Sequence, residues 1–319
     1  MRILPAALLL LLLSGSAAAD RMVIVPYSSA GITEPGQKAL IGFDGRRQIL
    51  VLTTVLSSRE PQEVLEVLPL PGEPRVAGLA PDFLTRLEAL ASEVSPTAVA
   101  TLRGQPAIEV TAQHRVGCHD ITVLRVRNAS ELNGFVADYY ARRGRQVRRL
   151  SPAEVRLAED YVEQGCGWLV LDRVELTGEA TRVDPVLYEF ESDRLFYPMR
   201  TSNLVGHSGV VDLLVLTRQE VPGLRLAFRD CVTAPEDVTL ESESDPESSW
   251  DTWFTWWDVY ADLWTSRSRP VSAQELQALD PALGMMFPAG AVLQGYRYLG
   301  PLNFKSDLWC PPAKPPRGP

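Results

Sequence analysis

Lys38-Ala39-Leu40-Ile41-Gly42-Phe43-Asp44-Gly45-Arg46-Arg47-Gln48-Ile49-Leu50-Val51-Leu52-Thr53-Thr54-Val55-Leu56 is the stretch that decides the fold class. Two apolar, β-branched runs, Lys38–Phe43 and Gln48–Leu56, flank Asp44-Gly45. That dipeptide suits a type I′ turn, whose two central residues need positive φ, so an antiparallel hairpin is expected here.

Downstream, Val64 to Leu70 reads as a third strand ended by Pro69, Pro71 and Pro74. Asp82 to Val94 reads as a helix with Phe83, Leu84, Leu87 and Leu90 on one face. Strands are expected at Ile108–Val116 and Ile121–Val126, with Gly117, Cys118 and His119 between them. Two helices follow. Leu132, Phe135, Val136 and Tyr139 recur at helical spacing up to Gly144, with Ser130 at the N-cap. Ser151, Pro152 and Glu154 form a capping box that opens the second, stopped by Gly165. Further strands are expected at Trp168–Leu176, Val186–Phe190, Leu195–Met199 and Val210–Leu216. Short strands and helices without a regular βαβ repeat indicate an α+β fold with a mostly antiparallel sheet.

Composition shifts after Cys231. Residues 20–232 form the expected main α+β domain, and 233–249 an acidic linker or loop carrying ESESDPESS. Residues 250–310 form a smaller Trp-rich C-terminal segment packed on that domain, and 311–319 a proline-rich disordered tail. In the Trp-rich segment Ser248 caps an expected helix that Pro270 ends. Trp250, Trp253, Trp257, Tyr260 and Trp264 share one helical face of roughly 80°. A short helix capped by Ser272 with Glu275 and the apolar stretch Ala289–Leu302 come next.

The first nineteen residues set the compartment. Arg2 supplies a positive start, Ile3 to Leu13 an apolar core, and Ala17-Ala18-Ala19 small residues for cleavage before Asp20. Eleven apolar residues are too few to span a bilayer, which needs about 20. The segment therefore reads as a signal peptide cleaved after Ala19, which places the protein in the periplasm or outside the cell. No later stretch reads as a membrane span, and a net charge of −9 disfavours nucleic acid.

Four cysteines in an oxidising compartment read as two disulfides. Cys118 and Cys166 each follow a glycine and precede a strand. If those strands are parallel neighbours joined through two helices, their heads lie side by side, which predicts Cys118–Cys166 and, by elimination, Cys231–Cys310.

Several stretches resemble a known family as a set: Glu34–Thr54, Glu63–Val76 with its Pro-Leu-Pro, His119–Val126, Glu189–Gly206 with its Tyr-Pro, and Gly300–Trp309. They resemble an exported bacterial and archaeal family known only as a domain of unknown function. The resemblance spans most of residues 30–310 and implies no activity, cofactor or catalytic residue.

Candidate chemistry is sparse. Gly206-His207-Ser208-Gly209 approaches a nucleophile elbow, but G-x-S-x-G requires glycine where Val210 stands, and a strand follows instead of a helix. His114, His119 and Asp120, with Cys118 nearby, are the densest set of potential metal ligands. Trp250, Trp253, Trp256 and Trp257 are candidate glycan-stacking residues. No complete catalytic constellation and no cofactor motif emerges. The favoured function is a non-catalytic envelope or extracellular binding protein with an unknown protein or glycan partner. The alternatives are a metal-assisted hydrolase using His114, His119 and Asp120, and a glycan-binding protein using the Trp250–Trp264 segment.

Overall fold

The expected hairpin is present in a computed structural model of the chain as β2 (Gly36–Phe43) and β3 (Arg47–Leu56), paired antiparallel from Gln37/Thr54 to Phe43/Gln48. The turn is shifted by one residue from expectation. The Asp44 N–H donates to the Arg47 carbonyl at 3.2 Å, so Gly45-Arg46 forms the loop, with Gly45 at φ +97°. Asp44 Oδ1 accepts from the Arg46 and Arg47 N–H groups at 3.0 and 2.7 Å, which fixes the turn from outside it.

The structure describes residues 21–24, 36–56, 61–80, 82–92, 110–116, 118–145, 147–176, 181–182, 184–204, 208–221, 223–233, 264–265 and 268–311. The expected leader and its cleavage site, Trp250, Trp253, Trp256, Trp257, His207, most of the acidic linker and most of the tail lie outside them.

The fold is α+β and mostly antiparallel. One sheet has five strands in the order β1 (Met22–Ile24), β4 (Gln62–Leu70), β8 (Trp168–Leu176), β7 (His119–Arg125) and β6 (Val110–Val116). Every pairing in it is antiparallel. The larger sheet runs β13 (Trp264–Thr265), β15 (Ala291–Pro301), β12 (Ser208–Thr217), β2, β3, β10 (Val186–Glu191) and β5 (Arg75–Gly78). To it are added β14 (Arg269–Val271) on β15 and β9 (Thr181–Arg182) on β3. Here β12 and β2 run parallel. A ribbon of β11 (Leu195–Tyr197) and β16 (Leu308–Cys310) completes the set.

The near-continuous apolar runs follow from burial on both faces. On β3, Leu50 and Leu52 enter a core shared with the five-stranded sheet, while Ile49 and Val51 enter a second core. That second core is covered by α1 (Phe83–Ser92), α5 (Ala273–Leu279) and α6 (Pro281–Met286), through Phe83, Leu87, Leu276 and Leu283. Each such side chain contributes about 1.5–3 kcal/mol when fully buried. The outer face of the five-stranded sheet carries α2 (Leu132–Ala141) and α3 (Pro152–Glu163). Arg145, just beyond α2, reaches Glu63 of β4 at 2.7 Å. A short helix α4 (Leu224–Cys231) packs beside β16.

Three local expectations are corrected. Asn128, not Ser130, caps the turn that leads into α2, with its Oδ1 accepting from the Ser130 N–H and hydroxyl at 3.1 and 2.7 Å. The helix expected to run through Trp264 to Pro270 is replaced at that end by strands. Trp264 and Thr265 pair with Arg297 and Tyr296, and Pro270 lies within β14. A ready-made edge on β15 outweighs local helical spacing there.

The third correction concerns β7 and β8. They are antiparallel, with His119 opposite Val174 and Arg125 opposite Trp168. The chain leaves the sheet and rejoins it at one point, where the Val126 N–H donates to the Gly167 carbonyl at 2.7 Å. Cys118 and Cys166 therefore flank opposite ends of the strand pair, roughly 30 Å apart at ~3.3 Å per residue. The Cys118–Cys166 disulfide is overturned, because its premise was a parallel pair.

Candidate functional site

The β6–β7 hairpin carries the three expected metal ligands. In its ladder Val116 faces His119, Arg115 faces Asp120 and His114 faces Ile121. Paired residues share a sheet face, and neighbours along a strand alternate. His114 and His119 therefore project from one face and Asp120 from the other, so the three do not converge. Asp120 instead meets Arg173 Nε at 3.2 Å and Arg143 Nη2 at 3.5 Å. His114 is half-buried, and burial lowers its pKa. Among the described residues no three His, Cys, Asp or Glu side chains are grouped to hold a metal ion.

His119 belongs to a different constellation. Its Nδ1 lies 2.6 Å from Asp172 Oδ2 and its Nε2 lies 2.9 Å from the Asp184 carbonyl. Arg21 Nη1 donates to the same Asp172 oxygen at 2.9 Å and to Glu66 Oε2 at 2.5 Å. All four residues are at most 1% exposed. Strand register assembles them: Glu66 stands opposite Asp172, Val23 of β1 stands opposite Glu66, and Arg21 leads into β1. The Arg21 guanidinium lies 5.8 Å from the Tyr188 ring of β10, so the cluster sits between the two sheets.

Burial alone would lower the basicity of His119. The hydrogen bond with Asp172, a further one with Cys118 and the Asp172 charge outweigh it and push the pKa up to about 10, against repulsion by Arg21. Glu66 is raised by burial and by Asp172, with Arg21 opposing. At neutral pH His119 is thus an imidazolium, and both its N–H groups are donated internally.

The expected Cys231–Cys310 disulfide is not formed in the structure either: all four cysteines are free thiols, with Cys118 exposed and the rest buried. Burial pushes Cys166 up to about 12 and Cys231 up to about 11, and it also raises Cys310. A thiol held protonated in this way is a poor nucleophile. Trp168 and Trp309 each have a guanidinium over the ring, from Arg125 at 4.8 Å and Arg194 at 4.4 Å. Those ring faces are covered from a stacking sugar. The strand expected after Gly206-His207-Ser208-Gly209 in place of an elbow's helix is present, with β12 starting at Ser208 itself.

Sequence reasoning missed Arg21, Glu66 and Asp172. A signal for the carboxylates was present: each is an acid inside an apolar run, in VLEVL and LVLDRV. Nothing in the sequence marks Arg21 as their partner.

A family model described as an uncharacterised protein conserved in bacteria, DUF2330, matches residues 16–224. No curated protein matches the chain by sequence. Among solved structures, baculovirus P35 is similar at 10% identity and a TM-score of 0.38, over 66% of this chain and 73% of that one. A mutated baculovirus P35 after caspase cleavage aligns at 8% identity and a TM-score of 0.38, over 87% of this chain and 97% of that one. P35 in a caspase-8/P35 complex gives 12% identity and a TM-score of 0.36, over 63% and 70%. At TM-scores this low, these likenesses assign neither fold nor function.

Proposed function

The chain belongs to DUF2330, a family of uncharacterised proteins conserved in bacteria, and on that premise we propose that it is an exported, non-catalytic binding protein of the envelope or extracellular space. The observation that carries this is the saturation of His119. The most active-site-like residue set in the chain is at most 1% exposed, and both ring nitrogens of His119 are engaged, by Asp172 and by the Asp184 carbonyl. Such a cluster holds two sheets together and leaves no group for a substrate to reach. Export is supported by the leader pattern and by Arg21. Cleavage after Ala19 leaves one residue, Asp20, ahead of the first buried side chain. Among the described residues no helix is long and apolar enough to cross a membrane.

The test has two arms. Intact-mass measurement on protein recovered from the periplasm or medium should give a chain starting at Asp20. Purified mature protein should hydrolyse model esters, phosphoesters and peptides no faster than His119→Gln, with or without added zinc. Turnover that disappears in His119→Gln while the melting temperature is retained would overturn the non-catalytic reading.

A further inference from the structure

Between Arg125 and Arg156 the chain carries eight arginines against three carboxylates, in a protein of net charge −9. Five of them, Arg142, Arg143, Arg145, Arg148 and Arg149, are exposed on the loop that leaves α2. The loop doubles back along the helix. The Arg145 N–H donates to the Tyr140 carbonyl at 3.0 Å, and the Leu150 N–H donates to Asn133 Oδ1 at 2.7 Å. The five arginines thus gather at the surface on the short connection between α2 and α3.

Three are pinned from beneath. Arg145 meets Glu63 at 2.7 Å, and Arg148 grips Glu154 with two nitrogens at 2.8 and 2.6 Å. Arg143 lies 3.8 Å from the centre of the Tyr139 ring. A guanidinium has five N–H donors, so each keeps donors beyond those its internal partner takes. A side chain already held in place loses less freedom when it binds an anion. Arg142 and Arg149 engage no side-chain partner among the described residues. The negative end of the helix dipole favours a cation at Arg142 or Arg143, and Glu63 and Glu154 account for Arg145 and Arg148. Asp120 lies 3.5 Å from Arg143, which leaves Arg142 and Arg149 without an acidic side-chain partner among the described residues.

We propose that this arginine ridge docks an acidic peptide segment of a partner protein, an inference that rests on the chain being a binding protein. The ligand is narrow because the rest of the molecule holds the whole negative excess. A planar anionic membrane would confront that repulsive body, whereas an extended peptide meets the ridge alone. Its anion is a carboxylate, the group that already meets Arg145 through one nitrogen and holds Arg148 in fork geometry.

The probe is a fluorescent oligoglutamate peptide, titrated with mature protein and followed by anisotropy. Saturable binding that weakens with salt is expected. Arg142→Glu with Arg149→Glu should weaken it roughly tenfold while the protein stays folded, since reversing two surface charges removes and then opposes two modest attractions. Arg225→Glu, exposed on α4, should leave it unchanged. Absence of saturable binding would overturn the proposal, as would equal weakening by Arg225→Glu. So would binding to vesicles containing anionic phospholipid that needs Arg142 and Arg149 while the peptide does not bind. None of these outcomes bears on the hydrolysis assay, which tests the non-catalytic reading separately.

Discussion

Glu66 and Asp172 stand directly opposite each other across β4 and β8, and a single nitrogen of Arg21 bonds both. Two like charges at paired positions repel, and in the core water does not relieve them. Arg21→Met should therefore cost on the order of 3–5 kcal/mol, the typical loss when one partner of a buried ion pair is removed. Adding Glu66→Gln to that variant should restore part of the loss, because one of the stranded charges disappears. Urea denaturation of the single and double variants measures both; equal stability of wild type and Arg21→Met would refute the assignment.

The same cluster makes stability depend on pH. The folded protein holds a proton on His119 up to about pH 10, whereas an unfolded imidazole releases it near ~6.5. The stabilisation is complete below ~6.5 and drains away as pH rises through about 10. Glu66 acts in the same direction, since its carboxyl also binds its proton more readily in the folded state. Melting temperatures taken from neutral to alkaline pH should fall, and His119→Gln should flatten most of that slope.

Thiol labelling reads out the cysteines one by one. Cys118 should react with a maleimide in the native protein, because it is exposed at the β6–β7 turn. Cys166, Cys231 and Cys310 are buried, and they should react after unfolding. Rapid native labelling of Cys166 would contradict its burial.

Two glycines should respond to alanine with opposite signs. A Cβ on Gly72 would lie 2.4 Å from the Glu191 carbonyl oxygen, which is backbone and cannot swing aside. Gly72→Ala should cost about 1–3 kcal/mol, as overpacking does. A Cβ on Gly134, within α2, meets nothing within 4 Å. Gly134→Ala should add about 0.4–1 kcal/mol by restricting the unfolded chain. Thermal melts of the two variants should separate on either side of wild type.

Local signals carried most of the elements. The capping boxes of Ser151 with Glu154 and Ser272 with Glu275 form as their spacing implies. Gly144 and Gly165 take positive φ just past α2 and α3, where each helix was expected to stop. What the chain hides is pairing between distant segments. Nothing local states that β8 returns beside β7 antiparallel, and the Cys118–Cys166 pairing failed on that point. His119 and Asp120 are adjacent in sequence, yet the pleat sends them to opposite faces. The arginine ridge was overlooked for another reason: a net charge averaged over the chain conceals a cluster of the opposite sign.

The order of strands in the larger sheet has a consequence in time. β2 is hydrogen-bonded on one side to β3, its immediate successor, and on the other to β12, with Gly36 opposite Val210. β12 in turn is bordered by β15, close to the C-terminus. A chain emerging N-terminus first, from a ribosome or a translocation pore, closes the β2–β3 hairpin early. It must then wait from Leu56 to Ser208, roughly half of the chain, before the hairpin's second edge is met. Long-range pairing of this kind slows folding toward the millisecond-to-second range, and a bare apolar strand edge invites association with other chains meanwhile. The interval between synthesis of β3 and arrival of β12 is when this protein is most vulnerable to aggregation and proteolysis, and a holding chaperone would have its greatest effect there.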